Sequence, residues 1–260
     1  MPPRIYLVMW ATALLLALLD GNARVRSVHH PPQSRILWIG AHPDDEAFVA
    51  PILGRDCVEN GAECAFLVFT RGERGDCSAP QGCGDLGSTR TAEMAQAAGL
   101  FRAHLTLWSF SDISADVDSV WSSEAGSRDA LLSRIASAIT TTAPTVIYTF
   151  DPSHGSTCHP AHREVGALVL EAAARLSPAP RLVLVETTVE FQPTDIVFRS
   201  ATPDAGSIDV TQAWHYLVED VAVHASQFTS EQRNVLRNIP DDEKRVYLSS
   251  VPAQKYSCGR

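Results

Sequence analysis

The feature of this sequence that most restricts its fold is a series of short apolar segments separated by segments of helical pattern. The predicted strands span residues 36–40, 65–70, 105–110, 146–150 and 182–186, and the predicted helices span about 46–60, 88–100, 127–142 and 160–176. The strand segments are almost continuously apolar, which is typical of strands buried on both faces of a parallel sheet. We therefore expect a single-domain, three-layer α/β/α fold, Rossmann-like, with a mostly parallel sheet and right-handed crossovers.

The pattern is less regular beyond the fifth predicted strand. Residues 209–226 and 229–238 are predicted to be helical, and residues 187–208 to form a loop or a short strand. Because ligands bind outside the carboxyl ends of the strands in an open α/β sheet, the loops that follow strands should carry the chemistry. Three such loops, 41–46, 71–90 and 151–162, are unusually polar.

Length and charge narrow the classes of function. The 260 residues, 45% of them hydrophobic, suffice for one large domain with a substantial core. The net charge of -9 argues against a nucleic-acid partner and against docking on anionic lipid.

The N-terminal segment predicts export. Arg4 precedes the uncharged run 7–19, and small residues follow at Gly21 and Ala23, as in a secretory signal peptide cleaved after about residue 23. The run has 13 residues, fewer than the roughly 20 that a helix needs to cross a bilayer. We expect a mature protein that is secreted or periplasmic.

The resulting domain assignment is a signal peptide at residues 1–23 and a functional domain at 35–260. The lesser alternative is an uncleaved membrane anchor, which Arg24 and Arg26 leave open because they blur the orientation rule. No stable membrane association is expected unless the segment is uncleaved.

Six cysteines fit an exported chain, because an even count in an oxidising compartment predicts disulfides. Sequence does not select among the 15 pairings that six cysteines allow. We predict only Cys77–Cys83, because the two residues flank a loop rich in Pro, Gly and Ser that a bridge would close.

A histidine and three acids follow the first predicted strand in the segment AHPDDE, residues 41–46. A capped helix start explains Pro43 and Glu46, because proline suits the first helical turn and acids suit its positive end. It does not explain His42. The spacing of His42 and Asp45 can bring an imidazole and a carboxylate to one point, which is a common pair of metal ligands, while Asp44 stays free.

Three histidines, His154, His159 and His162, lie within nine residues after the fourth predicted strand. Together with His42 and Asp45, one of them would give three protein ligands, and a metal with three ligands and an open position is catalytic rather than structural.

The acid and the histidine left over would then act as general base and general acid. A carboxylate that deprotonates water and an imidazolium that stabilises an oxyanion predict a hydrolase for an amide or ester.

These residues resemble the PIG-L/LmbE-like family of zinc-dependent N-acetylglucosamine deacetylases. The resemblance rests on AHPDDE at 41–46 and HPAH at 159–162, and extends over residues 35 to about 227, with TRGERGD at 70–76, STRTAEM at 88–94 and HASQ at 224–227. It implies an enzyme that removes an acetyl group from an N-acetylated amino sugar or glycoconjugate.

The resemblance also implies roles for individual residues. Zinc, or Fe²⁺ as the alternative, would be held by His42, Asp45 and His162. Asp44 would be the general base, and His159 would assist the oxyanion and the leaving group.

Contacts to the substrate are implied for Arg90, paired with Glu93, and for Asp112. From its loop composition we expect His154 at the rim of the pocket, and His224 is a further pocket candidate. Ala161 replaces an acid that is frequent in this motif, so another group must orient a histidine here.

Two alternatives remain open. The motifs position metal and water rather than the acyl donor, so a secreted metal amidase acting on a non-sugar amide fits equally well. A catalytically inactive sugar-binding protein is the second alternative, and the complete set of site residues argues against it. The sequence lacks the glycine-rich turn of nicotinamide enzymes and the G-x-S-x-G segment of serine hydrolases.

Overall fold

In the computed structural model, which describes residues 34–192, 195–203, 205–253 and 258, parallel strands form the centre of a seven-stranded sheet. The strands are β1 (Arg35–Gly40), β2 (Glu63–Thr70), β3 (Ala103–Phe110), β4 (Val146–Phe150), β5 (Arg181–Val185), β6 (Thr187–Gln192), β7 (Asp195–Ser200), β8 (Gly206–Asp209) and β9 (Arg245–Ser249). The order in the large sheet is β3-β2-β1-β4-β5-β9-β8, in which β9 runs antiparallel to both of its neighbours, β5 and β8. Strands β6 and β7 form a separate antiparallel pair.

The connections between the strands are largely helical. The helices are α1 (Ala50–Leu53), α2 (Leu86–Leu100), α3 (Val117–Glu124), α4 (Arg128–Thr142), α5 (Gly155–Cys158), α6 (Pro160–Ala174), α7 (Trp214–Val223) and α8 (Ser230–Arg237). None of the helices in the described part of the chain is long and apolar enough to span a membrane. The mostly parallel α/β fold predicted from the sequence is confirmed.

Apolar side chains cover both faces of the central strands. In β1, Ile36 and Trp38 belong to one hydrophobic cluster, whereas Leu37 and Ile39 belong to the cluster on the opposite face. Trp38 packs edge-on against Phe150 of β4, with ring centroids 5.4 Å apart. Burial on both faces explains why these strands lack an alternating pattern in the sequence.

The strand order places the ends of β1 and β4 side by side. β1 pairs with β2 on one side and with β4 on the other, in parallel register from Ile36↔Val146 to Trp38↔Tyr148. The chain runs from β1 through β2 to β3 on one side and then crosses back to β4 on the other side of β1. Such a switch point opens a crevice at the carboxyl ends of the strands. The loops that follow β1 and β4 are therefore neighbours.

Three disulfides are present: Cys57–Cys64, Cys77–Cys83 and Cys158–Cys258. The predicted Cys77–Cys83 bridge is confirmed. Three bridges in one chain are typical of proteins from oxidising compartments. The predicted signal peptide, residues 1–23, lies outside the described residues.

Several predicted elements differ from those observed. Residues 46–60 do not form one regular helix, because a 3₁₀ turn (Asp45–Val49), α1 and a π-helical segment (Gly54–Glu59) follow each other. Residues 187–208, predicted as a loop or a short strand, contain the β6–β7 hairpin and most of β8. Strand β8 occupies the start of the helix predicted at 209–226, so that α7 begins only at Trp214.

Candidate metal centre and active site

The turn after β1 is built around the carboxylate of Asp45. Its Oδ2 accepts the backbone N–H groups of Ala41 and His42, at 2.7 Å and 2.8 Å. A Cβ atom at Gly40 would lie 3.0 Å from the Asp45 Cβ, so glycine permits this close return of the chain. With Oδ2 occupied by the backbone, Oδ1 of Asp45 is left for the site.

Three ligand atoms from the two loops converge at one point. His42 Nδ1 lies 3.1 Å from His162 Nε2, and Asp45 Oδ1 lies 3.0 Å from His162 Nε2 and 3.7 Å from His42 Nδ1. His162 is held in place from below by Phe150, whose ring stacks on it at 4.3 Å with an interplanar angle of 3°. The structure thus brings together the three residues that the sequence predicted as metal ligands.

Each of the two imidazoles is hydrogen-bonded through the ring nitrogen that points away from the ligand cluster, and this bond fixes the tautomer. His42 Nε2 lies 3.2 Å from Asp112 Oδ1, and His162 Nδ1 lies 2.9 Å from the carbonyl oxygen of Gly155. Since those oxygens can only accept, the remote nitrogens carry the protons. When both imidazoles are neutral, the two nitrogens that face each other present lone pairs and can bind one cation between them.

The donor set fits a first-row divalent ion. Tetrahedral zinc with bonds of about 2.0–2.1 Å places neighbouring ligand atoms roughly 3.3–3.4 Å apart, which the observed separations bracket. Asp112 and the Gly155 carbonyl supply the orienting groups that the sequence lacks at Ala161.

The local field also favours positive charge. Burial lowers the pKa of His42, but the carboxylates of Asp45 and Asp112 outweigh it and raise that pKa to about 9. Burial acts to raise the pKa of Asp45, yet His162 and His42 hold it well below the usual range. For Asp112, burial is again outweighed, chiefly by the hydrogen bond from His42, and its pKa falls to about 2.

Asp44 is held in a strained conformation beside this cluster. Its φ of 109° and ψ of -12° lie in the left-handed region that favours glycine. Such a conformation costs ~1–3 kcal/mol and persists only where the surrounding structure holds it. Arg90 donates to Asp44 Oδ1 at 2.8 Å and to the carbonyl of Pro43. Burial raises the pKa of Asp44, while Arg90 opposes that rise.

His159 lies on the other side of the cluster. Its ring stands perpendicular to that of His42, with centroids 4.8 Å apart. Its Nδ1 accepts the backbone N–H of Ala161 at 3.2 Å, so Nε2 carries the proton. Burial, followed by the charges of His42 and His162, lowers the pKa of His159 to about 4. Both features favour a neutral imidazole at His159, whereas the sequence predicted an imidazolium.

Two of the predicted substrate contacts, Arg90 and Asp112, line the cavity beside the three ligand residues, and Arg90 is also engaged by groups of the protein itself. The Arg90 guanidinium is buried and holds Asp44, Pro43 and the Gly72 carbonyl, the last at 3.0 Å. Glu93 is bonded to the N–H and hydroxyl of Ser226, at 2.8 Å and 2.6 Å, rather than to Arg90.

His154 is not at the rim of the pocket. It is fully buried, and its Nε2 lies 3.1 Å from Glu186 Oε2. Its Nδ1 accepts the N–H of Ser156 at 2.9 Å, so Nε2 carries the proton and acts as a donor to Glu186 rather than as a metal ligand. The glycine and serine beside His154 suggested a mobile loop, but the loop folds inward and is fixed by these bonds.

Sequence reasoning missed a second buried cluster beneath Asp44. Glu46, Asp220 and His224 have no solvent exposure, and His224 Nε2 lies 2.6 Å from Glu46 Oε1. Burial lowers the pKa of His224, but Glu46 outweighs it and raises that pKa to about 9. His224 is thus buried in this cluster instead of lining the pocket. The one signal for the cluster in the sequence was Glu46, the last acid of the AHPDDE segment.

A cavity of about 360 Å³ opens beside the three candidate ligands His42, Asp45 and His162. Its polar end is lined by the three ligand residues together with Asp44, Asp112 and His159. The other lining side chains are mostly apolar and form the apolar wall of the cavity: Phe48, Val189, Ile196, Phe198, Leu217, Val221, Phe228 and Leu236. The arrangement can hold a divalent ion, a base and a neutral hydrogen-bond donor around one polar group, with apolar surface beyond it.

Solved structures share this fold. N,N'-diacetylchitobiose deacetylase from Pyrococcus horikoshii has a TM-score of 0.62 at 17% identity, covering 95% of this chain and 94% of that chain. GalB, the 4-carboxy-2-hydroxymuconate hydratase from Pseudomonas putida KT2440, has a TM-score of 0.62 at 15% identity, covering 87% and 100%. The A40926 pseudoaglycone deacetylase Dbv21 has a TM-score of 0.56 at 19% identity, covering 85% and 100%.

These similarities establish the fold and not the reaction, because a hydratase and deacetylases occur among them. No curated protein sequence matches the chain. A family model does match: the one described as PIG-L, GlcNAc-PI de-N-acetylase, covers residues 37–173, more than half of the chain. The match contains both loops that build the candidate site, and this protein therefore belongs to the PIG-L family.

Proposed function

We propose that this protein is a metal-dependent hydrolase that removes the acetyl group from an N-acetylated amino sugar or glycoconjugate. The observation that carries the proposal is the convergence of His42 Nδ1, Asp45 Oδ1 and His162 Nε2 within 3.7 Å of one another, beside the carboxylate of Asp44. Membership of a family described as a de-N-acetylase supports amide hydrolysis.

In this proposal His42, Asp45 and His162 hold the ion, which is zinc by default, although two imidazoles and a carboxylate also accept ferrous iron. When bound, such an ion supplies Lewis acidity to the amide carbonyl and to the attacking water. Asp112 and the Gly155 carbonyl keep the two imidazoles in the tautomers that ligation needs.

Asp44 is the proposed general base. Burial raises its pKa, which makes its carboxylate a better proton acceptor than an exposed aspartate. It takes a proton from the attacking water as the oxygen bonds to the acetyl carbon, and the proton then passes to the departing amine. Arg90 fixes the direction of the carboxylate through its bond to Oδ1.

His159 is the proposed hydrogen-bond donor to the acetyl oxygen. A neutral imidazole with its proton on Nε2 can stabilise negative charge on that oxygen while the carbon is tetrahedral. A nearby divalent ion would oppose protonation further, so the role suits a neutral group.

The apolar wall favours a glycoconjugate over a free sugar. Val189 and Phe198 are paired across the β6–β7 hairpin, and Ile196 lies two residues before Phe198, so all three project from one face. A free amino sugar is polar on all sides and would leave this surface hydrated, whereas an apolar aglycone would cover it.

Three disulfides and the uncharged N-terminal run support secretion or a periplasmic location.

Acetate release from a panel of N-acetylglucosaminides, with and without a chelator, tests the proposal. The panel pairs a methyl with an octyl glycoside and includes a non-sugar N-acetyl amide of the same chain length. We expect chelator-sensitive acetate release, with kcat/KM higher for the octyl than for the methyl glycoside.

Each alternative predicts a different result. Faster turnover of the non-sugar amide would indicate a general amidase. Sugar binding without acetate release, at full metal occupancy, would indicate a binding protein and contradict the proposal.

A further inference from the structure

The turn between α7 and α8 contacts the active-site loop although it lies outside residues 37–173, where the family match is found. Its first residue, His224, is bonded to Glu46 at 2.6 Å, and its third, Ser226, is bonded to Glu93 of α2. Two independent contacts therefore dock the same turn, and only the first reaches the loop that follows β1.

Glu46 connects His224 to the backbone of Asp44. Oε1 of Glu46 faces His224, while Oε2 accepts the N–H of Asp44 at 3.3 Å. The left-handed φ of Asp44 needs such fixation, because a residue in this region relaxes when its neighbours do not hold it. Arg90 holds the side chain of Asp44 and the Pro43 carbonyl, and Glu46 holds the N–H.

We propose that His224 is a positioning residue, which orients the general base Asp44 by fixing the Glu46 carboxylate against the Asp44 backbone. This inference rests on the role of Asp44 in the proposed function. His224 touches neither substrate nor metal, so it acts only through Glu46.

Burying the Glu46–His224 pair has an energetic cost, which argues that the pair contributes to the active site rather than to packing alone. Glu46 and His224 have no solvent exposure, and a buried ion pair seldom stabilises a fold more than apolar side chains of similar volume would. Asp220 adds a third buried ionisable group, with Oδ1 3.9 Å from His224 Nε2. A pair that only supported packing would not need to reach the strained residue that carries the base.

Steady-state kinetics of metal-loaded His224→Ala, His224→Gln and Ser226→Ala test the proposal, with metal content and thermal unfolding measured on each sample. For His224→Ala we expect kcat to fall by about 10- to 100-fold with KM within about threefold, since a displacement near 1 Å costs about that much. His224→Gln keeps a donor for Glu46 and should recover part of the loss.

Ser226→Ala is the matched control, because it removes the hydroxyl that donates to Glu93 and accepts from Gln227, in the same turn, without touching Glu46. It should lower the unfolding temperature and keep kcat within about threefold of wild type. Equal loss of kcat in Ser226→Ala and His224→Ala, or wild-type kcat in His224→Ala, would overturn the proposal. If His224→Ala does not fold, His224→Gln decides: kcat below that of Ser226→Ala supports the proposal, and an equal value refutes it.

A wild-type protein without acetate release would refute the proposed function instead. In that case the inference about His224 falls with it, because no base remains to be positioned. Activity in the wild type with unaffected variants would refute only the inference.

Discussion

Asp112→Asn should weaken metal binding although Asp112 is not a proposed ligand. The carboxylate accepts from His42 Nε2 at 3.2 Å through Oδ1 and from the N–H of Arg74 at 2.9 Å through Oδ2. Asparagine has one acceptor oxygen, so it can serve only one of these donors. When that oxygen accepts from Arg74, the amide NH₂ faces His42 Nε2, and His42 loses the acceptor that fixes its tautomer. In the other orientation only the negative charge is lost.

The electrostatic field sets the size of the effect. A pKa of His42 raised from 6.5 to about 9 corresponds to ~3 kcal/mol of preference for positive charge at the ring. Asp45 and Asp112 both contribute to that rise, and Asp45 contributes more. Loss of the negative charge of Asp112 should therefore weaken cation binding, by about tenfold when only this charge is lost. Loss of the orienting bond can extend this toward 100-fold.

Zinc affinity is measured by competition with a chromogenic chelator. The control is Asp129→Asn, which removes the same charge from an exposed position whose partner is Arg175. We expect the control to bind zinc like wild type and Asp112→Asn to bind about 10- to 100-fold more weakly. A dissociation constant unchanged in Asp112→Asn would refute the argument that this carboxylate orients His42.

Three further variants test other parts of the structure. Asp44→Asn should keep stoichiometric metal, by elemental analysis, and lose ~10²–10⁴ in kcat, as expected when a general base is removed; full activity would contradict the role. Gly166→Ala would place a Cβ atom 2.3 Å from the Phe150 carbonyl oxygen, so its free energy of unfolding should fall by ~1–3 kcal/mol, and unchanged stability in urea would show that α6 can shift freely. Replacing Cys57 and Cys64 by alanine opens a bridge that spans seven positions and should cost ~2–3 kcal/mol in urea unfolding, while kcat stays near wild type; a large loss of kcat would link this bridge to the site.

The parts of the fold that follow from local pattern were predictable from the sequence. Continuous apolar segments identified the five parallel strands, and the order of polar loops after strands placed His42 and His162 at one edge of the sheet. The β9 strand was missed although Val246 and Leu248 alternate with less buried residues, because the segment is short and follows a stretch rich in acids.

The remaining differences arise from contacts that local pattern does not encode. Glu46 and His224 are 178 positions apart, and Glu46 alone is adequately explained as an acid at a helix start. Residues 46–60 have helical composition, but the hydrogen-bond register that divides them into 3₁₀, α and π segments depends on tertiary packing. The inward position of His154 likewise depends on Glu186, which lies between β5 and β6 and is 32 positions away in the sequence.

The central claim is that one divalent ion joins the loops after β1 and β4. Anomalous X-ray scattering at the zinc edge, from crystals of zinc-loaded protein, tests it most directly. The account predicts one peak at about 2.0–2.2 Å from His42 Nδ1, Asp45 Oδ1 and His162 Nε2. A peak bound instead by Glu46, Asp220 and His224, or no peak at the three predicted atoms, would contradict it.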